Sequence, residues 1–218
     1  MARKLPKNPR IKRRSPKREV QKLLIIVCEG KNTEPDYLKQ LARDKKHNLI
    51  EYITHEEAGS PKSIVNLAIK QKKIHTENAK KTKNSFDGNF EIWCVSDRDE
   101  HLDLVNQMNR ARDNGLHYIL SNPCIELWGY LHYHQNDAPT HRHVMQRKLK
   151  EVMPDYDHNS GAIFNYEDMK ENYDTAVARA KELIQRRIDE DDPHGDPSTN
   201  IYELTESFGY LDVNKTSK

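Results

Sequence analysis

The sequence predicts an α/β fold: a parallel β-sheet flanked by helices, with additional helices toward the C-terminus. Three observations predict it. Leu23-Leu-Ile-Ile-Val-Cys28 is a continuous apolar run of strand length, the pattern of a strand buried on both faces. Similar runs recur, and each is followed after a short turn by apolar positions at helical spacing. Four such strand-to-helix units stand in succession, and parallel strands need crossover connections of this kind.

Taken in order, the first strand stops at Glu29-Gly30, and Thr33 stands as a helix N-cap with Pro35 in the first turn. Tyr37, Leu38 and Leu41 form that helix's packing face. Leu49 to Thr54 reads as the second strand. Gly59-Ser60-Pro61 then opens a helix with Ile64, Val65, Ala68 and Ile69 inward, which runs into a polar loop at Lys80-Lys81-Thr-Lys83-Asn-Ser. Phe90 to Val95 is the third strand, ending at Ser96-Asp97-Arg98-Asp99. The next helix starts near Leu102, with Leu102, Val105 and Met108 inward and Gly115 just past its end. Leu116 to Leu120 is the fourth strand, and Asn122-Pro123 caps and starts the fourth helix. Downstream, 144–152, 173–188 and 200–208 look helical. Ala176, Ala180, Leu183 and Ile184 give the second of these a packing stripe, and "DPSTNIYEL" offers a helix start at Ser198 or Thr199. Asp189-Glu-Asp-Asp192 reads as a solvated loop ahead of Pro193.

Composition narrows the function classes. The chain has 218 residues, 35% hydrophobic and 32% charged, without an apolar run of the roughly 18–20 residues that a membrane span needs and without the apolar segment of a secretory signal. A cytoplasmic protein is expected. Cys28, Cys94 and Cys124 each sit inside an apolar run, and none forms a CxxC pair, so they read as small buried hydrophobes. Residues 1–22 hold ten Lys or Arg against one acid, a local charge of +9, so the rest of the chain carries −7 against the total of +2. That proline-containing stretch reads as a basic disordered arm, either a solvated tail or one able to engage a phosphate backbone, with Arg13, Arg14, Lys17 and Arg18 as the contact candidates. The expected organisation is this arm, a catalytic core over 23–140, and a helical part over 141–218 that completes the same domain.

Ligands of parallel sheets bind beyond the carboxyl ends of the strands. Glu29 lies at the exit of strand one, Asp97 and Asp99 at the exit of strand three, and Glu126 in the first turn of the helix after strand four. One acid at such a junction is ordinarily a cap or a solvated turn residue. Four at one edge repel unless a cation neutralises them. Glu126, lodged among Cys124, Ile125, Leu127 and Trp128, is costly to bury without a partner. The economical reading is a site for Mg²⁺ or Mn²⁺, which prefer oxygen ligands.

The same residues carry a resemblance. "IIVCEG" and "VSDRDE" resemble the Toprim signature, a Glu after the first strand and a DxD after a later one. More closely, "CEGKNTEPDYL", "DRDEH", "SNPCIELW" and "DPSTNIYEL" resemble the RloB family across most of residues 23–210. The resemblance implies a Toprim fold and a metal-dependent nuclease, the toxic effector of a bacterial anti-phage or abortive-infection system. It implies frequent pairing with an ABC-type ATPase, action as a homodimer, and attack on transfer RNA, so that RNA is favoured over DNA. Carried over by position, Glu29, Asp97 and Asp99 match the Toprim acids, and Glu126 matches the acid of the NPCxELW motif. Glu29 would be general base or base-side ligand, and the other three ligands. Lys31 and Arg98 are the local cations for the transition state. Related nucleases bring a further basic residue from downstream, and the sequence leaves Arg142, Lys148, Lys150 and His158 open.

Competing readings are a Toprim DNA endonuclease or nickase, and a non-catalytic nucleic-acid-binding or regulatory subunit in which the arm would be the functional part. His132, His134, His141 and His143 form a repeated HxH pattern. Ordinary surface or phosphate-facing histidines are favoured there over zinc, because no cysteine or carboxylate completes a zinc spacing.

Overall fold

The computed structural model describes residues 22–28, 33–54, 60–82, 87–98, 103–158 and 164–208. The apolar runs become strands β1 (Leu23–Cys28), β2 (Ile50–Thr54), β3 (Phe90–Asp97) and β4 (His117–Asn122), all parallel. A two-residue strand, β5 (Ser198–Thr199), adds antiparallel to β4, giving a sheet of order β2-β1-β3-β4-β5. The sheet is thus mostly parallel, as expected, but its fifth strand lies where a helix start is predicted. Ser121 Oγ and Thr199 Oγ1 meet at 2.8 Å in a buried pair, and Asn200 Oδ1 accepts from the Leu120 amide at 2.8 Å. These polar contacts draw Ser198 and Thr199 into the sheet, and the helix begins only at Ile201.

Between the strands run α1 (Thr33–Asp44), α2 (Pro61–Thr82) and α3 (Leu104–Asp113). After β4 come α4 (Glu126–Leu131), α5 (Arg142–Val152), α6 (Tyr166–Met169), a single 3-10 turn at Lys170–Asn172, α7 (Tyr173–Asp189) and α8 (Ile201–Ser207). The capping side chain of Thr33, Gly59, the loop from Lys83 to Ser85 and Leu102 lie outside the described residues. Lys80 and Lys81 belong to α2 and not to the loop. In α3 the inward residues are Leu104, Gln107 and Ala111, and Val105 is 50% exposed. The helix starts at Leu104, and the stripe from there through Gln107 to Ala111 leaves Val105 about 100° off the buried face. Gly115 does end this turn of chain, at φ +61°, a conformation that costs an L side chain about 1 kcal/mol or more.

Alternation along the strands divides the core in two. Leu24, Ile26 and Cys28 of β1, Trp93 and Val95 of β3, and Ile119 of β4 face one layer. They pack there with Tyr37, Leu38 and Leu41 of α1 and with side chains of α4, α5, α7 and α8. Ile25, Val27, Ile92 and Cys94 face the other, against Ile64, Val65 and Ala68 of α2 and Ala111 of α3. Residues from either side of position 140 therefore share one cluster. At its centre Tyr37 makes edge contacts with Trp128, Phe164 and Tyr166 at centroid distances of 6.0–6.4 Å.

The fourth helix is the main departure near the site. Asn122-Pro123 is a cis peptide, and the chain passes through buried Cys124 and Ile125 before α4 begins at Glu126. Asn122 is not a cap: its Nδ2 donates to the His194 carbonyl at 2.8 Å. Six residues are too few for a helix to persist alone. Tertiary burial holds α4, with Leu127, Trp128 and Leu131 completely enclosed. Gly129 lets α5 come close, since a Cβ there would stand 3.2 Å from both Leu149 Cδ1 and Phe164 Cζ.

Candidate active site

β3 ends at Asp97, which is paired in register with Ser121 of β4. Because side chains alternate, Asp97 points to the same layer as Trp93 and Val95, which is the layer that holds α4 and α5. Glu126, in the first turn of α4, is 3% exposed, and the Asp97 side chain is 15% exposed. Both carboxylates push the Cys124 thiol upward, after the larger effect of its own burial. The two acids thus converge on one point at the carboxyl edge. Cys124 stays a protonated thiol, as does Cys94, whose pKa burial raises to about 12.

Glu126 has the partners that its burial demands. Its Oε1 accepts from the Tyr156 hydroxyl at 2.5 Å and from Gln146 Nε2 at 3.4 Å, with His158 Nδ1 at 3.3 Å. Burial, then the charge of Glu126, drives the Tyr156 pKa upward, so the phenol remains a donor. Gln146 continues outward, its Nε2 3.2 Å from His158 Nδ1 and its Oε1 3.3 Å from His143 Nδ1. One face of α5 serves both acids: Arg142 Nη2 reaches Asp97 Oδ2 at 3.4 Å, and Gln146, one turn on, reaches Glu126.

Of the four downstream cations left open by the sequence, two therefore meet the acids: Arg142 stands at Asp97 and His158 at Glu126. Lys148 turns away, donating to Asn136 Oδ1 at 2.8 Å and lying over the Tyr130 ring, and Lys150 is exposed. Arg98 is exposed as well. Its amide donates to Ser121 O at 2.8 Å, and its charge is felt at His194, where it adds to the lowering of that imidazole's pKa by burial. Glu29, Lys31, Asp99, Arg13, Arg14, Lys17 and Arg18 lie outside the described residues.

Tyr156 and Gln146 escape the sequence reading. Tyr156 sits in an irregular segment with no periodicity to place it. Gln146 had a usable signal, its i+4 spacing from Arg142.

The histidines separate. His132 is not a surface residue: it is 2% exposed just past α4, with Nδ1 2.9 Å from the Trp128 carbonyl, and burial lowers its pKa to about 4. It is a neutral ring in the core. His141 and His143 are exposed, with ring centroids 5.1 Å apart, and His141 Nδ1 accepts from the His143 amide at the start of α5. Among the described residues no three His, Cys, Asp or Glu side chains gather closely enough to hold a metal ion. Carboxylate oxygens are nonetheless the donor type that Mg²⁺ takes. Asp97 and Glu126 supply two such groups at one edge, with Glu126 Oε1 already filled by its three partners.

Fold and site together define an α/β protein with paired acids beyond the carboxyl ends of parallel strands. The chain belongs to the RloB-like protein family, whose model matches residues 24–208. No curated protein and no solved structure gives a significant match. Among the described residues no helix is long and apolar enough to cross a membrane.

Proposed function

We propose that this chain is a metal-dependent endonuclease that hydrolyses phosphodiester bonds in RNA, with transfer RNA as the leading substrate. The observation that carries this reading is the meeting of Asp97 and Glu126 at the carboxyl edge with Arg142 at their rim. Membership of the RloB-like family and the Toprim-like motifs support it. The resemblance supplies the setting: a toxic effector of bacterial anti-phage defence in the cytoplasm, acting with an ABC-type ATPase and as a homodimer.

Asp97 and Glu126, with Glu29 and Asp99, are the residues that would hold Mg²⁺ or Mn²⁺, which when bound supplies Lewis-acid polarisation of the phosphodiester and a more acidic water. The chain's own groups do the rest. Tyr156, Gln146 and His158 fix the Glu126 carboxylate in one orientation, so no reorganisation is needed during reaction. Arg142 places a permanent positive charge where a phosphoryl group beside Asp97 would gain negative charge. Cys124 offers no competing nucleophile, because its thiol stays protonated.

The test is incubation of the purified chain with a transfer RNA pool and with plasmid DNA, each in Mg²⁺, Mn²⁺ or EDTA, beside Glu29→Gln and Asp97→Asn. Discrete metal-dependent RNA fragments absent from both variants support the proposal. Plasmid nicking alone would move the activity to DNA. Silence on both substrates, persisting with the ATPase partner added, would leave a nucleic-acid-binding subunit.

A further inference from the structure

The outer face of α2 is rich in lysine. The helix carries six lysines, Lys62, Lys70, Lys72, Lys73, Lys80 and Lys81, against a single acid, Glu77. Lys72 is occupied, its Nζ donating to the carbonyls of Asn114 at 2.5 Å and Gly115 at 3.3 Å, which ties α2 to the end of α3. The other five are exposed. At about 100° per residue, Lys62, Lys73 and Lys80 fall within roughly 20° of one another, Lys70 and Lys81 lie together about 80–100° further round, and Glu77 lies between the two groups, all of them away from the buried Ile64, Val65 and Ala68. Lys62 and Lys80 are about 27 Å apart along the axis at 1.5 Å per residue.

These lysines lack the partners that charges find elsewhere. On α7, Lys181 pairs with Glu206, Arg186 with Glu182 and Asp137, and Arg187 with Glu190. Among the described residues none of the five α2 lysines makes an ion pair, not even with Glu77. Aligned like charges repel, which costs the free protein stability unless a polyanion neutralises them.

The ridge lies on the other side of the sheet from the layer to which Asp97 points. His75, midway along α2, meets Phe90 at the start of β3 in a tilted ring contact at a centroid distance of 5.5 Å and lies 3.4 Å from Glu51 near the start of β2. The helix therefore runs from the carboxyl edge of the sheet to the amino edge. Lys62 lies at the carboxyl edge, whereas Lys70 and Lys73 lie near the amino edge and Lys80 and Lys81 beyond it.

We propose that the lysine face of α2 is a docking surface for the sugar–phosphate backbone of a structured RNA, remote from the acidic edge. This rests on the nuclease reading for the identity of the polyanion. A broad face of cations without ion pairs on one helix suits a phosphate backbone, and contacts to phosphates alone add affinity without sequence preference.

The full-length chain is compared with a variant carrying Lys62→Gln, Lys70→Gln, Lys73→Gln, Lys80→Gln and Lys81→Gln, changes that keep helix propensity nearly constant. Affinity for a transfer RNA pool is measured in EDTA across a salt series. Hydrolysis of bis(p-nitrophenyl) phosphate, too small to span the ridge, is measured with Mg²⁺ and Mn²⁺. The expected result is an affinity loss on the order of 10- to 100-fold at 0.15 M salt and a log–log salt slope shallower by about 2–4, at roughly 0.7–0.9 per lost phosphate contact. Hydrolysis of the small ester should stay unchanged. Unaltered RNA affinity and slope would overturn the proposal and leave binding to the arm at residues 1–22. Lysine-dependent binding to phosphatidylglycerol vesicles without any effect on RNA would overturn it too. If neither RNA nor the ester is cleaved by the unmodified chain, yet RNA affinity still falls in the variant, the ridge stands and the nuclease reading fails.

Discussion

Tyr156→Phe tests the buried carboxylate directly. The substitution removes one oxygen and keeps the ring that packs on Phe164 at a centroid distance of 5.9 Å. Glu126 then loses its shortest donor, the hydroxyl at 2.5 Å, and keeps only Gln146 at 3.4 Å and His158 at 3.3 Å, both too long to replace it. A hydrogen bond to a charged group contributes about 1.5–3 kcal/mol, and a buried acceptor left short of donors falls in the same range. The expected cost is about 2 kcal/mol. For a domain of this size that is a Tm lower by about 4–8 °C. Urea denaturation without divalent ions, on the parent, Tyr156→Phe, Glu126→Gln and the double variant, isolates the pair. Once Glu126 is a neutral amide, the phenol deletion should cost under about 1 kcal/mol, giving a coupling of at least about 1 kcal/mol. Strict additivity of the two changes, or a single-variant cost below about 0.5 kcal/mol, would refute the claim that Tyr156 neutralises the cost of burying Glu126.

Other outcomes follow from the same geometry. Arg142→Ala should lower metal-dependent cleavage by about 10²–10³ if it stabilises transition-state charge. Its stability should change by less than about 1 kcal/mol, because its side chain is 37% exposed. Lys148→Ala, whose Nζ lies on Asn136, should leave the cleavage rate within about twofold, and a larger fall would exchange the two assignments. Gly129→Ala forces a methyl to 3.2 Å from Leu149 and Phe164 and should destabilise by about 1–3 kcal/mol, measured by thermal unfolding. His132 makes stability acid-sensitive. Its folded pKa of about 4 lies below the unfolded value near 6.5, so its contribution is complete above pH 6.5 and is lost as pH falls toward 4. The loss reaches about 3 kcal/mol, and His132→Gln should flatten that slope in urea titrations at pH 7, 5.5 and 4.5. Asp196 and Glu203, whose pKa values burial raises, act with the opposite sign in both proteins and cancel in the comparison.

Sequence alone determined the elements whose pattern is local. The strand cores of β1 to β4 were legible because each is an apolar run bounded by turn residues, and α7 because its packing stripe keeps helical spacing. The position of Glu126 in a first turn was readable too, and its discomfort among apolar neighbours correctly marked a residue that needs partners. Tertiary structure decided what depends on chain segments far apart. Ser198-Thr199 became a strand because β4 offered an unpaired edge about 80 residues earlier, which no local propensity reports. The choice of Arg142 and His158 over Lys148 and Lys150 followed from how α5 and the segment after it lie on α4, a packing that Gly129 permits. His132 looked like a surface histidine and became a core one because burial is set by neighbouring elements. The sequence could place acids at one edge through the alternation of strand and helix. Which cations and donors face them is fixed by long-range packing, since a side chain's partner is chosen in space and not along the chain.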